Sequence, residues 1–289
     1  MNSTLEQRGN VVTMRVDGIS SGDTIPLMLS SDWHFDSVKC DRNLLTRHLT
    51  RANQDGAVVL VAGDVFDAMQ GRFDPRKSYT NLREEYKVAD YYDAIADDAA
   101  VFLSQFNRCK FILAMGNHET AVLKNASTHL INTTAKELRH RGIEAFNAGY
   151  YGWLHILSKD EHGKGRAKQR IYWHHGHGGN APVTRGVIST NRQAVFLRNA
   201  DIVLNGHNHQ QYHVTIKEYG LTIRGQEYTS VVHYLRTPGY KMSGLENGDE
   251  MGYDIEKHPE PLPRGSAFVD LRYGTNGQDF DVDVLMKVE

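Results

Sequence analysis

The chain has 289 residues, 40% of them hydrophobic and 24% charged, an ordinary globular balance that excludes a disordered or membrane-embedded protein. A net charge of −2 and a pI near 6.7 provide no global positive field, so a polyanion would have to be met by local cations or by bound metal. Met1 to Arg15 does not read as a signal peptide, no apolar run is long enough to cross a bilayer, and Cys40 and Cys109 have neither disulfide nor zinc spacing, so a cytoplasmic protein without membrane partners is expected.

In chain order, Ile25 to Leu29 predicts a buried strand running into Ser30-Ser31-Asp32-Trp33-His34, followed by a helix over Arg42 to Asn53. Ala57 to Val61 predicts a second strand, ending at Ala62-Gly63-Asp64. Leu82 to Phe106 reads as the longest helix, with apolar positions Leu82, Tyr86, Ala89, Tyr92, Ala96, Ala99, Leu103 and Phe106 forming a core-packing stripe within a helical insertion over 68–106. Lys110 to Met115 predicts a strand that ends at Gly116-Asn117-His118-Glu119, and Thr128 to Arg141 a helix. Ala145 to Ile156 alternates as a strand or hairpin. Arg170 to Trp173 leads into His174-His175-Gly176-His177, Ser189 to Asn199 reads as a helix, and Ala200 to Leu204 leads into Asn205-Gly206-His207-Asn208-His209. Beyond Gln211, alternation at His213 to Ile216, Leu221 to Ile223, Ser230 to His233 and Ser266 to Leu271 predicts antiparallel strands, with a last one over Phe280 to Val288. Gly239 to Arg264 is a loop or insertion. The expected organisation is one domain over 1–289 with its motif core at 24–215.

Polar clusters thus collect where apolar runs stop, and in open α/β sheets that is where ligands bind. The 15 histidines are the compositional oddity. Carboxylate, imidazole and amide donors without nearby thiols suit manganese, iron, nickel, zinc or cobalt and argue against a structural zinc cage. Two ions about 3.5–4 Å apart need a shared ligand, and Asp64, on a tight strand-end turn, is the candidate. Taken singly, Asp32 or Asn117 is a turn residue and His34 a surface histidine; five ordered clusters, each after a predicted strand, make coincidence a poor account.

In this order the blocks Asp32-x-His34, Gly63-Asp64-x-x-Asp67, Gly116-Asn117-His118-Glu119, His175 and Gly206-His207-x-His209 resemble the calcineurin-like metallophosphoesterases. The resemblance implies a four-layer α/β/β/α sandwich of two mixed sheets flanked by helices, and two divalent ions, manganese first among them. It implies one ion on Asp32, His34, Asp64 and His209, a second on Asp64, Asn117, His175 and His207, and His118 as the residue that contacts the phosphate or protonates the leaving oxygen. Of the three histidines after the fourth motif strand, His175 is favoured because relatives carry a His-Gly pair there; His174 would face the other way and His177 would stand behind the ligands. Asp67 would orient a ligating histidine, or else cap the following helix.

Protein serine/threonine phosphatases of this superfamily carry arginine where Ala68 stands. Phe66 looks more like the nuclease and phosphodiesterase branch, Mre11-type enzymes included. The expectation is therefore a phosphodiesterase or nuclease using a metal-bridging hydroxide for in-line attack on phosphorus, with nucleic acid or a nucleotide as partner. A phosphomonoesterase or protein phosphatase is the alternative, and a catalytically silent metal-binding scaffold the second. Arg72, Arg76 and Lys77, and further on Arg185 and Arg192, are candidates for gripping substrate phosphate, against the plainer reading of solvated loops. Trp33, Phe35 and Tyr79 could stack on a base, though core packing is the simpler role.

Overall fold

The computed structural model describes residues 2–69, 81–164, 167–178, 184, 186–243, 246, 248, 262–274 and 279–289. Among the described residues thirteen strands build two mixed sheets. The six-stranded sheet takes β3 (Thr24–Ser30), β4 (Val58–Val61), β5 (Lys110–Leu113) and β6 (Ala145–Asn147) as parallel neighbours. Antiparallel β12 (Gly265–Tyr273) and β13 (Phe280–Val288) extend it beyond β3. The seven-stranded sheet orders β1 (Asn2–Arg8), β2 (Val11–Asp17), β7 (Tyr151–Lys159), β8 (Lys168–His174), β9 (Ile202–Asn205), β11 (Glu227–Arg236) and β10 (Tyr212–Leu221). Within it β8, β9 and β11 run parallel.

The sheets face one another across a core that includes Val12, Ile25, Leu60, Leu154, Ile171 and Trp173. β4 is buried along its whole length, which explains why its sequence, Val-Val-Leu-Val, shows no alternation. On the outer face of the six-stranded sheet lie α1 (Arg42–Asp55), α2 (Tyr91–Ser104), α3 (Asn117–Ala126) and α4 (Leu130–His140), sharing one cluster with Phe111, Val59 and Phe268. The seven-stranded sheet is covered by α5 (Val187–Phe196), whose Ala194 packs on the cluster of Val203, Val232 and Tyr234. The layers therefore run helix, sheet, sheet, helix. Among the described residues no helix is long and apolar enough to cross a membrane.

Several expectations are corrected. The helix over Leu82 to Phe106 begins only at Tyr91, with a single 3₁₀ turn at Glu84–Tyr86 ahead of it. Tertiary contacts override the stripe there: Leu82 bridges to Ser37, Arg83 donates to the Ser37 and Cys40 carbonyls at 3.0 and 3.1 Å, and Tyr86 bonds Asp98 and Arg42. Ala89 is exposed. The three short strands expected between 213 and 233 are two ten-residue strands joined at a turn closed by Thr222 N–H on the Gln226 carbonyl. The N-terminal hairpin of β1 and β2 was not expected, although Val11 to Asp17 alternates in burial as a half-covered strand does.

Candidate metal centre

β3, β4 and β5 of one sheet and β8 and β9 of the other lead into loops that are zipped together by the backbone. Asp32 N–H donates to the Gly63 carbonyl at 2.9 Å, His34 N–H to Asp64 at 3.1 Å, Phe35 N–H to Val65 at 2.9 Å, and Gly206 N–H to His175 at 2.9 Å. Glu119, in the first turn of α3, accepts from Gly116, Phe66 and Asp64 N–H at 2.7, 2.9 and 3.2 Å, stitching the loop after β4 to the loop after β5. Burial, followed by the charge of Asp64, pushes its carboxyl up to about 7. Asp36 does the same for the first two loops, accepting Asp67 and Ala68 N–H at 2.6 and 3.0 Å and the Tyr91 hydroxyl. Neither residue was assigned a role from the sequence. Glu119 carries a signal in its capping position; Asp36 carries none.

A third binding element comes from far along the chain. After β11, Thr237 Oγ1 lies 2.7 Å from Ser31 Oγ, Tyr240 N–H donates to the Asp32 carbonyl at 2.9 Å, and Met242 N–H to Lys39 at 2.8 Å. Gly239 has φ +79°, and a Cβ there would meet the Asp32 carbonyl at 2.4 Å, so only glycine lets this strap lie against the first ligand loop.

Inside the frame, the Asp32, His34 and His209 donor atoms gather within 4.8 Å of one another, as do those of Asp64, His175 and His207. Asn117 Oδ1 joins the second group, 3.0 Å from His175 Nε2 and 2.8 Å from His207 Nδ1. Asp32 also accepts His207 N–H at 2.9 Å, tying the groups together. Asp64 Oδ2 lies 3.2 Å from His175 Nε2 and 3.7 Å from His118 Nε2, while its Oδ1 accepts His118 N–H at 3.0 Å. The His34 and His118 rings meet edge-on at 4.8 Å, and His34 stacks on His209 at 5.1 Å. A Cβ at Gly116 would sit 2.0 Å from Asp64 Oδ1, and one at Gly206 2.5 Å from Asp32 Oδ2.

Electrostatics separate these side chains. Burial alone would raise the Asp64 carboxyl, but His118, His175 and His34 outweigh it and hold the group well below the ordinary carboxylate range. Burial likewise opposes His175, yet Asp64 raises the imidazole to about 10. Burial, with Lys241 next, lowers His34 to about 4, and burial lowers His207 and His209. For Asp67, burial is outweighed by Lys241 and His34, so its carboxyl is held well below its usual range.

These residues fit divalent metal. His34 Nδ1 lies 2.8 Å from Asp67 Oδ1, which leaves Nε2 as a buried nitrogen with no partner. His175 Nδ1 lies 2.8 Å from the Ala62 carbonyl, so N–H is fixed there and Nε2 is the atom turned towards Asp64 and Asn117. Two aspartates, four imidazoles and an amide oxygen form a set for borderline divalent ions.

The structure places the remaining sequence candidates as follows. His174 faces away: its Nδ1 accepts Gly176 N–H at 2.9 Å and its ring packs on Tyr150. His177 is exposed, 6.4 Å from the His174 ring. Neither stands behind a ligand, because strand alternation and the left-handed turn at Gly176, φ +112°, turn both outward. Arg192 is exposed on α5, with no contact to the ligand groups among the described residues. Arg72, Arg76, Lys77, Tyr79 and Arg185 lie outside the described residues. Trp33 and Phe35 are each 1% exposed in the helix-side core, so neither can stack on a base.

Fold and donor set together define a metal-binding α/β sandwich with its centre at the strand ends. Residues 25–211 match the model of the calcineurin-like phosphoesterase family, and the chain belongs to that family. Three solved structures are similar over most of their length. One, from Streptococcus pneumoniae TIGR4, is described as a predicted phosphoesterase (11% identity, covering 91% of this chain and 90% of that one, TM-score 0.33). The second is the Thermotoga maritima protein TM1076 (13%, 92% and 99%, TM-score 0.33). The third is GAP50, the anchor in the inner membrane complex of Plasmodium (12%, 92% and 84%, TM-score 0.41). Among curated proteins none matches. The family assignment rests on the first of these findings.

Proposed function

We propose that this phosphoesterase hydrolyses phosphodiesters, with nucleic acid or a nucleotide as the substrate class, at a centre holding two divalent transition-metal ions, manganese first among them. The observation that carries the reading is the position of Asp64, whose carboxylate gathers within 4.8 Å with the donor atoms of His175 and His207 on one side and with those of His34 and His118 on the other. One ion would be held by Asp32, His34, Asp64 and His209, the other by Asp64, Asn117, His175 and His207. When bound, such a pair supplies a water acidic enough to attack phosphorus at neutral pH and neutralises the phosphoryl oxygens.

The chain's own groups do the rest. His118 Nδ1 is bonded to the Asp67 carbonyl, so Nε2 faces the centre and is the atom that holds a proton and passes it to the departing alkoxide. The diester preference is supported at Ala68. It is buried, its N–H is tied to Asp36 at 3.0 Å, and no guanidinium stands there to meet the extra charge of a monoester. Cys40 and Cys109 are free and buried, which supports a reducing, cytoplasmic setting. We read the chain as one domain, because its first and last strands complete the two sheets.

The test is hydrolysis of bis(p-nitrophenyl) phosphate beside p-nitrophenyl phosphate by protein stripped with chelator and restored with Mn²⁺, Ni²⁺, Zn²⁺ or Mg²⁺. Metal-dependent cleavage of the diester is the expected result. Preference for the monoester would move the assignment to a phosphatase, and silence on both with every metal would favour a scaffold.

A further inference from the structure

The strap brings Lys241, which lies beyond the family match, to the rim of the centre. Its Nζ is 2.7 Å from Asp67 Oδ1, the same oxygen that lies 2.8 Å from His34 Nδ1. A carboxylate behind a ligating imidazole makes that imidazole a stronger donor. An ammonium on the same oxygen draws part of that charge back, and it adds a positive charge beside the Asp32, His34 and His209 group. Among the described residues the Asp64, Asn117, His175 and His207 group has no such cation. His175 rests on the neutral Ala62 carbonyl, and among the described residues no lysine or arginine bonds to any member.

We propose that Lys241 is a positioning residue that makes the two metal positions unequal, weakening ion binding at Asp32, His34 and His209 relative to the other. The inference rests on the two-metal reading. One ion then stays with the protein while the other exchanges, and activity follows the concentration of free metal. Because the Lys241 side chain is 20% exposed and that of Asp67 only 5%, removing the ammonium leaves the buried carboxylate acting on His34 alone. The weaker position should then tighten.

Calorimetric titration of chelator-stripped protein with Mn²⁺ tests this without recourse to activity. Wild type should bind two ions in distinct steps. Lys241→Met should tighten the weaker step about tenfold, the scale on which groups behind metal ligands act, and leave the tighter step unchanged. Lys241→Arg should restore the wild-type pattern, and His209→Ala should remove the weaker step. The unaltered tighter step reports that each variant is folded. A weaker step that is unchanged or further weakened in Lys241→Met overturns the role of Lys241 alone, whereas uptake of fewer than two ions by wild type overturns the two-metal reading beneath it.

Discussion

A side chain that must lean inward from a strand end has to leave the extended conformation at once, and Asp32, His34, Asp64, His207 and His209 all do so with positive φ. For residues other than glycine this costs on the order of 1–3 kcal/mol each, so it persists only where neighbouring loops enforce it. The donor residues themselves were legible in the sequence, because strand-end motifs mark them. The orienting role of Asp67, which bonds His34, was legible in the same motif, but the tautomer of His175 was not, since the Ala62 carbonyl that sets it lies in another loop. His118→Ala should lower turnover of a diester by about 10²–10⁴-fold while bound Mn²⁺, measured by elemental analysis, stays at the wild-type level; equal loss of metal would make His118 a ligand instead. His175 gives a pH signature. In metal-free protein its imidazole is raised to about 10, donating on both sides to Ala62 and Asp64, so near pH 7 it is protonated. Metal binding requires the neutral ring, so uptake at pH 7 should release about one proton, and affinity should rise with pH until about 10. Calorimetry in buffers of different ionisation enthalpy reads that proton, and its absence would mean that His175 does not bind metal.

Elements show where local pattern yields to tertiary contact. α1 follows its sequence closely, with Asp41 accepting Leu44 N–H at 2.9 Å at one end and left-handed Gly56 at the other. The expected helix from Leu82 failed because Arg83 and Tyr86 have partners in the first ligand loop and in α1 and α2, information that periodicity does not contain. α3 was hidden for the opposite reason: its opening residues, Asn117 to Glu119, are so strongly marked as site chemistry that their capping pattern passes unnoticed. The strap was illegible, since Gly239 and Lys241 meet Asp32 and Asp67 only after the whole chain has folded. Gly239→Ala tests its importance directly. A Cβ at 2.4 Å from the Asp32 carbonyl, on a residue with positive φ, should destabilise the protein by more than about 1 kcal/mol, displace Asp32 and lower metal affinity; unchanged thermal unfolding and Mn²⁺ binding would show that the strap yields freely.

At the scale of the molecule, two facing sheets bring loops from residues 32 to 241 to one rim, and neither sheet alone holds a complete donor group. Asp32, His34, Asp64 and Asn117 follow strands of the six-stranded sheet, while His175, His207 and His209 follow strands of the seven-stranded one. Sequence order revealed the strand ends and the composition of the site. It did not reveal which sheet each strand joined, because buried parallel strands in both read as the same apolar runs. The proposed function makes Asp64 the ligand that both ions would share, and equilibrium dialysis of chelator-stripped protein against Mn²⁺ tests that most directly. The account predicts two ions bound per chain in wild type, and fewer than two in Asp64→Asn with its circular dichroism unchanged. Two ions still bound by a folded Asp64→Asn variant, or fewer than two by wild type, would contradict it.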